Sequence, residues 1–416
     1  MAERQLTAGG PGGGPAARVW AVRTWARLPV AGRIAIIYLL ARLVTTGLMV
    51  LTSSLSAPPS RFGLQPTLGE YVLGWDAQWY WWVAENGYPS TLPVTPAGDV
   101  TENAWAFMPV YAYLAKVVGF GDWGAGALLV SLIAGFLACL ALHRLLRPRI
   151  GSTAALWAVV FFANGPLAAL FQVGYAETLF VLLLLVALDL ASRHRYPLLY
   201  LLIPVMGYTR PGILAFALFL GLHGIVRWLR RRREPLPVRD MVHIVALGAL
   251  ATVVGFSWQV IAAIVTGDPG AYLKTELSWR RNWLTDPRPD FFPFEGFVRG
   301  AEFWAMKWGM PAWFGWILLV ALVVGIALIL LRARAVRRLG SDIRLWSASY
   351  VLYLLAVFFP QSSTFRLLMP LTPLVGALAV PRSRTYRWGM LLLCLLLQWL
   401  WIHVMYGLAQ TYWQVP

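Results

Sequence analysis

Long apolar runs alternate along this chain with short arginine-rich segments and with two long segments of mixed polar and aromatic residues. A helix needs about 20 mostly apolar residues to cross a bilayer. Such runs lie near 34–52, 123–142, 152–171, 175–191, 196–209, 211–229, 241–266, 311–331, 345–360, 366–381 and 388–407. They predict an all-α polytopic membrane protein of about eleven transmembrane helices. The run 196–209 is short, and Pro197 and Pro204 predict a bent helix there. Residues 1–33 read as a basic N-terminal segment. Its Gly-Gly-Pro-Gly-Gly-Gly-Pro stretch carries no apolar period and predicts disorder through residue 18. Residues 34–416 read as one transmembrane domain. Leu55-Ser56-Ala57 faintly resembles a signal-peptidase site, but the run before it is long for a signal peptide, so an uncleaved anchor is expected.

Charge orients the runs. With the N-terminus inside, the inner segments hold 24 of the 35 basic residues and the outer ones hold ten; Arg42 lies within the first run. Arg230 to Arg233 fall on the same side as every other basic loop, the positive-inside pattern. The outer loops 52–122 and 267–310 are long, and loops of that size between spans are usually functional. Thirteen of the 18 acidic residues lie on or near the outer side. Chemistry is therefore expected to face outward, and the C-terminus with it.

Composition agrees with lipid rather than water as the solvent. The chain of 416 residues is 59% hydrophobic and 13% charged, where a soluble domain carries about 25% charged residues. The net charge of +17 marks topology, and no nucleic-acid partner is expected. Cys139 and Cys394 both sit in apolar runs and predict free thiols. No His/Cys cluster has metal-ligand spacing, and no Asp-x-Asp pair occurs on an outer segment. Asp99 or Glu102 could join Asp76 around a metal, but nothing in the pattern requires one.

The first outer loop carries Trp75-Asp76-Ala77-Gln78-Trp79-Tyr80-Trp81-Trp82-Val83-Ala84-Glu85-Asn86-Gly87-Tyr88-Pro89. Helix is predicted over Asp76–Asn86, ended by Gly87 and Pro89. Tyr71, Trp75, Trp79 and Trp82 recur at helical spacing and predict an aromatic face lying at headgroup level. Asp76 and Tyr80 sit one turn apart beside it. Asp76 reads either as the cap of this helix or as a general base meeting an acceptor hydroxyl at the interface. Glu102 to Tyr111 predict a second interfacial helix. Arg210 and Arg366 open spans at their outer ends, with Pro211 in one first turn and Ser362, Ser363 and Thr364 able to cap the other. Arginine at a helix N-terminus either binds phosphate or snorkels to headgroups. Glu177 begins a span, where an acid suits the helix dipole. His403 reads as a packing histidine. Arg42, deep in its span, needs a partner that the sequence does not name.

The Trp-Asp-Ala and Ala-Glu-Asn-Gly-Tyr block at 75–88, the Phe-x-Pro-x-Tyr at 107–111 and the Tyr-x-Glu-x-Leu-Phe at 175–180 resemble the PIG-V family, in its shorter bacterial branch. Those are mannosyltransferases of the GT-C fold. The likeness covers roughly the first two hundred residues and is supported beyond them by the two arginine-bearing helix starts. Gly74 stands where the family often has Arg or Lys, and Gln78-Trp79 where it commonly has an aromatic or His. The resemblance implies a bacterial plasma-membrane enzyme that takes mannose from polyprenyl-phosphate mannose by inverting displacement. It needs no further cofactor, works as a monomer among membrane lipids, and delivers to a lipid or glycan acceptor. Asp76 takes the role of catalytic base, and Arg366 and Arg210 that of the donor-phosphate ligands. Glu177, Gln78, Tyr80, Glu102 and Tyr175 line the acceptor side. The same fold could carry another sugar such as arabinose. A lipid transporter or flippase is the alternative from another class, although its ionisable residues would sit at mid-membrane within inverted repeats, and a non-catalytic scaffold would not need such elaborate outer loops.

Overall fold

The computed structural model describes residues 25, 27–284 and 290–411. The tail expected to be disordered and the last five residues lie outside them. Helices occur at each of the eleven predicted runs. Five are long and apolar enough to cross a membrane: Val30–Ser54, Trp123–Ile150, Val238–Thr266, Ala312–Arg332 and Arg384–Gly407. Their outward faces carry bare aliphatic side chains, such as Leu43, Val320 and Ile264 at 69, 62 and 77% exposure. Water would penalise such belts, whereas lipid does not. The chain is a multi-pass, all-helical membrane protein.

The shorter runs depart from simple spans for local reasons. Run 366–381 is not one helix but three pieces, Thr364–Leu367, the tight turn Met369–Leu374 and Val375–Ala379. Pro370 and Pro373 lack the amide hydrogens that a continuous helix requires. Tyr196–Gly207 is a tight turn over Tyr196–Leu198 followed by helix Leu199–Gly207, with Pro204 inside it. At 1.5 Å per residue its twelve residues reach about 18 Å, short of the roughly 30 Å hydrocarbon core.

Run 152–171 ends as helix at Ala163 and resumes as a tight turn over Ala168–Gln172. Arg42 fills that break. Its guanidinium donates to the Ala168 and Ala163 carbonyls, both at 2.6 Å, and to the Gln172 side chain at 3.0 Å. The partner missing from the sequence reading is therefore a broken helix end with free carbonyls. Arg42→Met is expected to lower stability by about 1–3 kcal/mol for each acceptor left unsatisfied. Thermal melting in detergent reads this, and an unchanged midpoint would refute the bracing role.

The core lies where Trp123–Ile150, Ser152–Ala163 and Glu177–Ser192 pack together, filled by Phe161, Phe171, Phe180 and Leu184. A second stack joins Ile213–Leu229 to Val238–Thr266 and to Ser341–Val357. The two long segments read above as outer loops carry helices of their own. The first holds helices Leu68–Val72, Asp76–Asn86 and Pro109–Val118, and the second Ala271–Ser278 and Glu295–Lys307. They are tied to each other, since the Asn103 amide donates to Thr275 Oγ1 at 2.8 Å. The interfacial helix expected over 102–111 is instead a short turn at Ala104–Ala106, followed by a helix that begins at Pro109. Proline at the first helical position explains that start.

Candidate active site

Helix Asp76–Asn86 forms where the sequence places it, but Asp76 is not its cap. Trp75 occupies the cap position with φ 55° and no side-chain capping bond, and Asp76 is the first helical residue. This is an unusual conformation for a residue with a side chain, costing on the order of 1–3 kcal/mol. Surrounding contacts hold it. The Trp75 indole N–H donates to the Met405 carbonyl at 3.0 Å, and the Arg61 guanidinium lies 4.6 Å from the ring centre. A Cβ at Gly74 would stand 2.6 Å from the Phe62 ring, so a side chain there would force that ring to move. The turn aims the Asp76 carboxylate inward, away from its own helix.

The single aromatic face expected from Tyr71, Trp75, Trp79 and Trp82 does not exist. The helix breaks between Val72 and Asp76, and Tyr71 and Trp75 enter the core while Trp82 stays exposed. Trp79 stacks on Phe107, with ring centres 5.6 Å apart.

Asp76 meets the Arg366 guanidinium in an ion pair that spans 290 positions of sequence. The same Arg366 nitrogen lies 2.9 Å from Glu177 Oε1, and Arg210 Nη1 lies 3.3 Å from that oxygen. Two carboxylates and two guanidiniums thus make one nearly closed cluster of zero net charge. All four come from chain breaks. Glu177 opens helix Glu177–Ser192, and Arg366 lies in the short helix Thr364–Leu367. Arg210 precedes the helix Ile213–Leu229, whose cap is Gly212 at φ 132°. Pro211 therefore lies before that helix rather than in its first turn. The Tyr350 hydroxyl donates to the Leu367 carbonyl at 2.7 Å and fixes the Arg366 segment. Tyr175 lies behind, its ring centre 5.2 Å from the Arg366 guanidinium carbon.

Snorkelling is excluded for both arginines, since each is buried and turned towards Glu177. Side-chain capping by Ser363 is absent, and the Thr364 hydroxyl donates to the Gln361 carbonyl instead. Glu177 Oε2 and Arg366 Nε are buried without a hydrogen-bond partner among the described residues. Unused valences in a charged cluster are where a ligand or water adds bonds.

Asp76, Glu177, Arg210 and Arg366 line a cavity of about 450 Å³, a size within the range of small-molecule sites. Tyr80 lines it too. Gln78 faces elsewhere, in a surface groove with Trp81 and Trp82, where its side chain accepts from Arg61 at 2.7 Å. Glu102 also lies outside the cavity, half-buried and accepting from Asn282 at 2.7 Å. His403 stacks on Trp399 at 5.5 Å, also apart from the cavity. Burial raises the Asp76 pKa above its ordinary value, opposed by Arg366 and reinforced by Glu177. A carboxylate whose proton affinity is raised is a better base.

Another part of the cavity lining escaped sequence reasoning. Glu276 and its neighbours come from the second outer loop, whose length marked it as functional without naming a residue. Glu276 is open to the cavity although protein closes around it. Burial pushes its pKa from the ordinary 4.5 up to about 7, against lowering contributions from the Tyr272 hydrogen bond and Arg280. Between those two values the folded protein keeps a proton that the unfolded chain has released. The contribution of Glu276 to stability therefore falls as pH rises through that window and is constant on either side. Glu276→Gln removes this dependence. The thermal midpoint of the variant relative to the native protein is expected to rise between pH 4.5 and 7 and level off above. A pH-independent difference would refute the raised affinity for a proton.

No protein-family model matches the chain, and no curated protein matches it. Among solved structures it is similar to ArnT from Cupriavidus metallidurans in the apo state, with 16% identity, a TM-score of 0.46, and coverage of 91% of this chain and 62% of that one. It is also similar to the archaeal oligosaccharyltransferase AglB from Archaeoglobus fulgidus, solved with an inhibitory peptide and a dolichol-phosphate. There the identity is 13%, the TM-score 0.42, and the coverage 91% and 56%. The chain spans less than two thirds of the length of either.

Proposed function

We propose that this protein is a membrane glycosyltransferase of GT-C type. It moves mannose from a polyprenyl-phosphate carrier to an extracytoplasmic lipid or glycan acceptor, with Asp76 as general base. The observation that carries the reading is the cluster itself. Asp76 and Glu177 clasp Arg366 and Arg210 at the wall of a cavity, beneath motifs that resemble a lipid-dependent mannosyltransferase.

The chemistry follows from charge. A donor phosphodiester carries one negative charge, and paired arginines hold phosphate oxygens well. When Arg366 and Arg210 turn to the phosphate, Asp76 and Glu177 lose their counter-ions. The affinity of Asp76 for a proton rises, at the moment a base is needed. Asp76 then takes the acceptor hydroxyl proton while that oxygen attacks the anomeric carbon. The bond from that carbon to the phosphate oxygen breaks, and its electron pair leaves on the phosphate, held by the arginines. One displacement inverts the anomeric centre, so a β-linked donor gives an α-glycoside.

Reconstituted protein supplied with polyprenyl-phosphate mannose and a set of lipid and glycan acceptors tests the reading. Mannose transfer confirms it. Transfer of another sugar from its polyprenyl phosphate keeps the enzyme and changes the substrate, and movement of intact lipid between leaflets would replace it with a flippase. In vesicles whose protein is oriented by protease mapping at Arg231, transfer is expected only from the face opposite that residue.

A further inference from the structure

Another part of the cavity lining is chemically unlike the arginines. Helix Ala271–Ser278 and the tight turn after it bring Tyr272, Glu276, Trp279 and Arg280 to the cavity. Their spacing of four, seven and eight positions is that of one helical face. The helix is held from behind by the Asn103–Thr275 bond and by packing of Ala271 against Trp105 and Trp258. The stripe is thus a rigid surface and not a loose loop.

Each member has a defined state. Glu276 lies one helical turn from Tyr272, within its electrostatic reach, and is open to the cavity. Trp279 packs against Trp79 and Phe107, with ring centres 6.3 and 6.1 Å away and both contacts steeply angled. Arg280 lines the cavity beside Glu276, interacting with Glu295 and Glu276 and reaching the Val357 carbonyl at 3.5 Å. This wall therefore offers a carboxyl, a phenol and an indole, and its one guanidinium, Arg280, is engaged by the Glu276 and Glu295 carboxyls.

Arg210 and Arg366 are the groups that suit a phosphate, and a carboxyl such as Glu276 adds no attraction for it in either protonation state. What meets Glu276 must be neutral or cationic, rich in hydroxyls or amines, and apolar on one face. A sugar ring has that chemistry. Its hydroxyls both donate and accept, as does a carboxyl–phenol pair, and its C–H face suits an aromatic surface fixed in place.

We propose that Tyr272, Glu276 and Trp279 form a sugar subsite, in which the indole takes the C–H face of a pyranose and the Glu276–Tyr272 pair takes its hydroxyls. This rests on the glycosyl-transfer reading and adds to it the wall that holds the carbohydrate. The ring belongs either to the donor or to a glycan acceptor, and both have the same chemistry.

Binding separates these sources. Full-length protein in lipid nanodiscs, native and as E276A, E276Q and W279A, is titrated with three probes: sugar-free polyprenyl phosphate, polyprenyl-phosphate mannose and α-mannobiose. E276A and W279A are expected to bind bare polyprenyl phosphate as the native protein does. They should lose about tenfold or more in affinity for one sugar-bearing probe. Loss on polyprenyl-phosphate mannose places the donor sugar on the stripe, and loss on mannobiose places the acceptor there. E276Q, whose amide also donates and accepts, should keep most of the affinity. Native-like binding of all three probes by E276A and W279A, in proteins that melt normally, would overturn the subsite. So would an equal loss on bare polyprenyl phosphate. A native protein that binds no polyprenyl phosphate would overturn the transferase reading instead, and the mannobiose titration would still decide the subsite.

Discussion

Asp76→Asn is expected to leave the protein folded and able to bind donor, while slowing sugar transfer by about 10²–10⁴-fold. The substitution keeps shape and removes the ability to take a proton. Capping cannot explain such a loss, because Trp75 holds the cap position and Asp76 lies inside the helix. Stability should change modestly, since Arg366 keeps its contact with Glu177 at 2.9 Å. Donor affinity should hold or improve, because one carboxylate that competes with the phosphate for Arg366 has gone. The decisive measurement is single-turnover transfer at saturating donor. A rate within a few-fold of native would remove Asp76 from the mechanism and turn attention to Glu177 and Glu276.

Arg366→Ala is expected to weaken donor binding by roughly ten- to a hundred-fold, the worth of one charge-assisted phosphate contact at about 1.5–3 kcal/mol. It should also cost stability. Asp76 and Glu177 share this guanidinium, and Glu177 is 1% exposed. Removing one partner of a buried ion pair costs about 3–5 kcal/mol because the remaining charge is stranded. Arg366→Lys separates the two effects. The ammonium should restore most of the melting temperature, yet it cannot make the two-pronged contact to phosphate oxygens. Donor affinity should therefore recover only in part. Titration of polyprenyl phosphate into both variants reads binding, and detergent melts read stability. Native donor affinity in a folded alanine variant would show that Arg366 serves the cluster alone.

The two experiments probe one feature from opposite signs. Deleting the acid is expected to spare binding and stop chemistry, whereas deleting the base partner is expected to harm binding and fold together. A cluster that only braced the bundle would lose stability in both cases, with no separate loss of rate.

Much was legible from local pattern. Apolar runs located the helices, because lipid leaves a backbone no other way to satisfy its hydrogen bonds within a single segment. Helix Asp76–Asn86 was bounded correctly by Gly87 and Pro89, whose backbone limits act on nearest neighbours. The family-like motifs singled out Asp76, Glu177, Arg210 and Arg366, all of which meet at one cavity wall. Periodicity misled where the chain turned sharply. It ran Tyr71 and Trp75 into one helical face with Trp79, although Trp75 sits at positive φ and breaks the helix there. It also joined 366–381 into one helix across two prolines.

What the sequence by itself determined is therefore the membrane class, the positions of the helices and the chemical types available to a site. Each follows from interactions among residues close along the chain. What only the tertiary structure decided is which groups share the cavity. Asp76 finds Arg366 across 290 positions, Arg42 finds a broken helix end more than 120 positions away, and Glu276 joins the cavity from a separate loop. Gln78 and Glu102, equally plausible by composition, point elsewhere. The reason is physical. Helix formation is encoded by a local repeat, whereas the meeting of charges depends on how helices pack and where breaks in them leave room. Neither leaves a periodic trace in the order of residues.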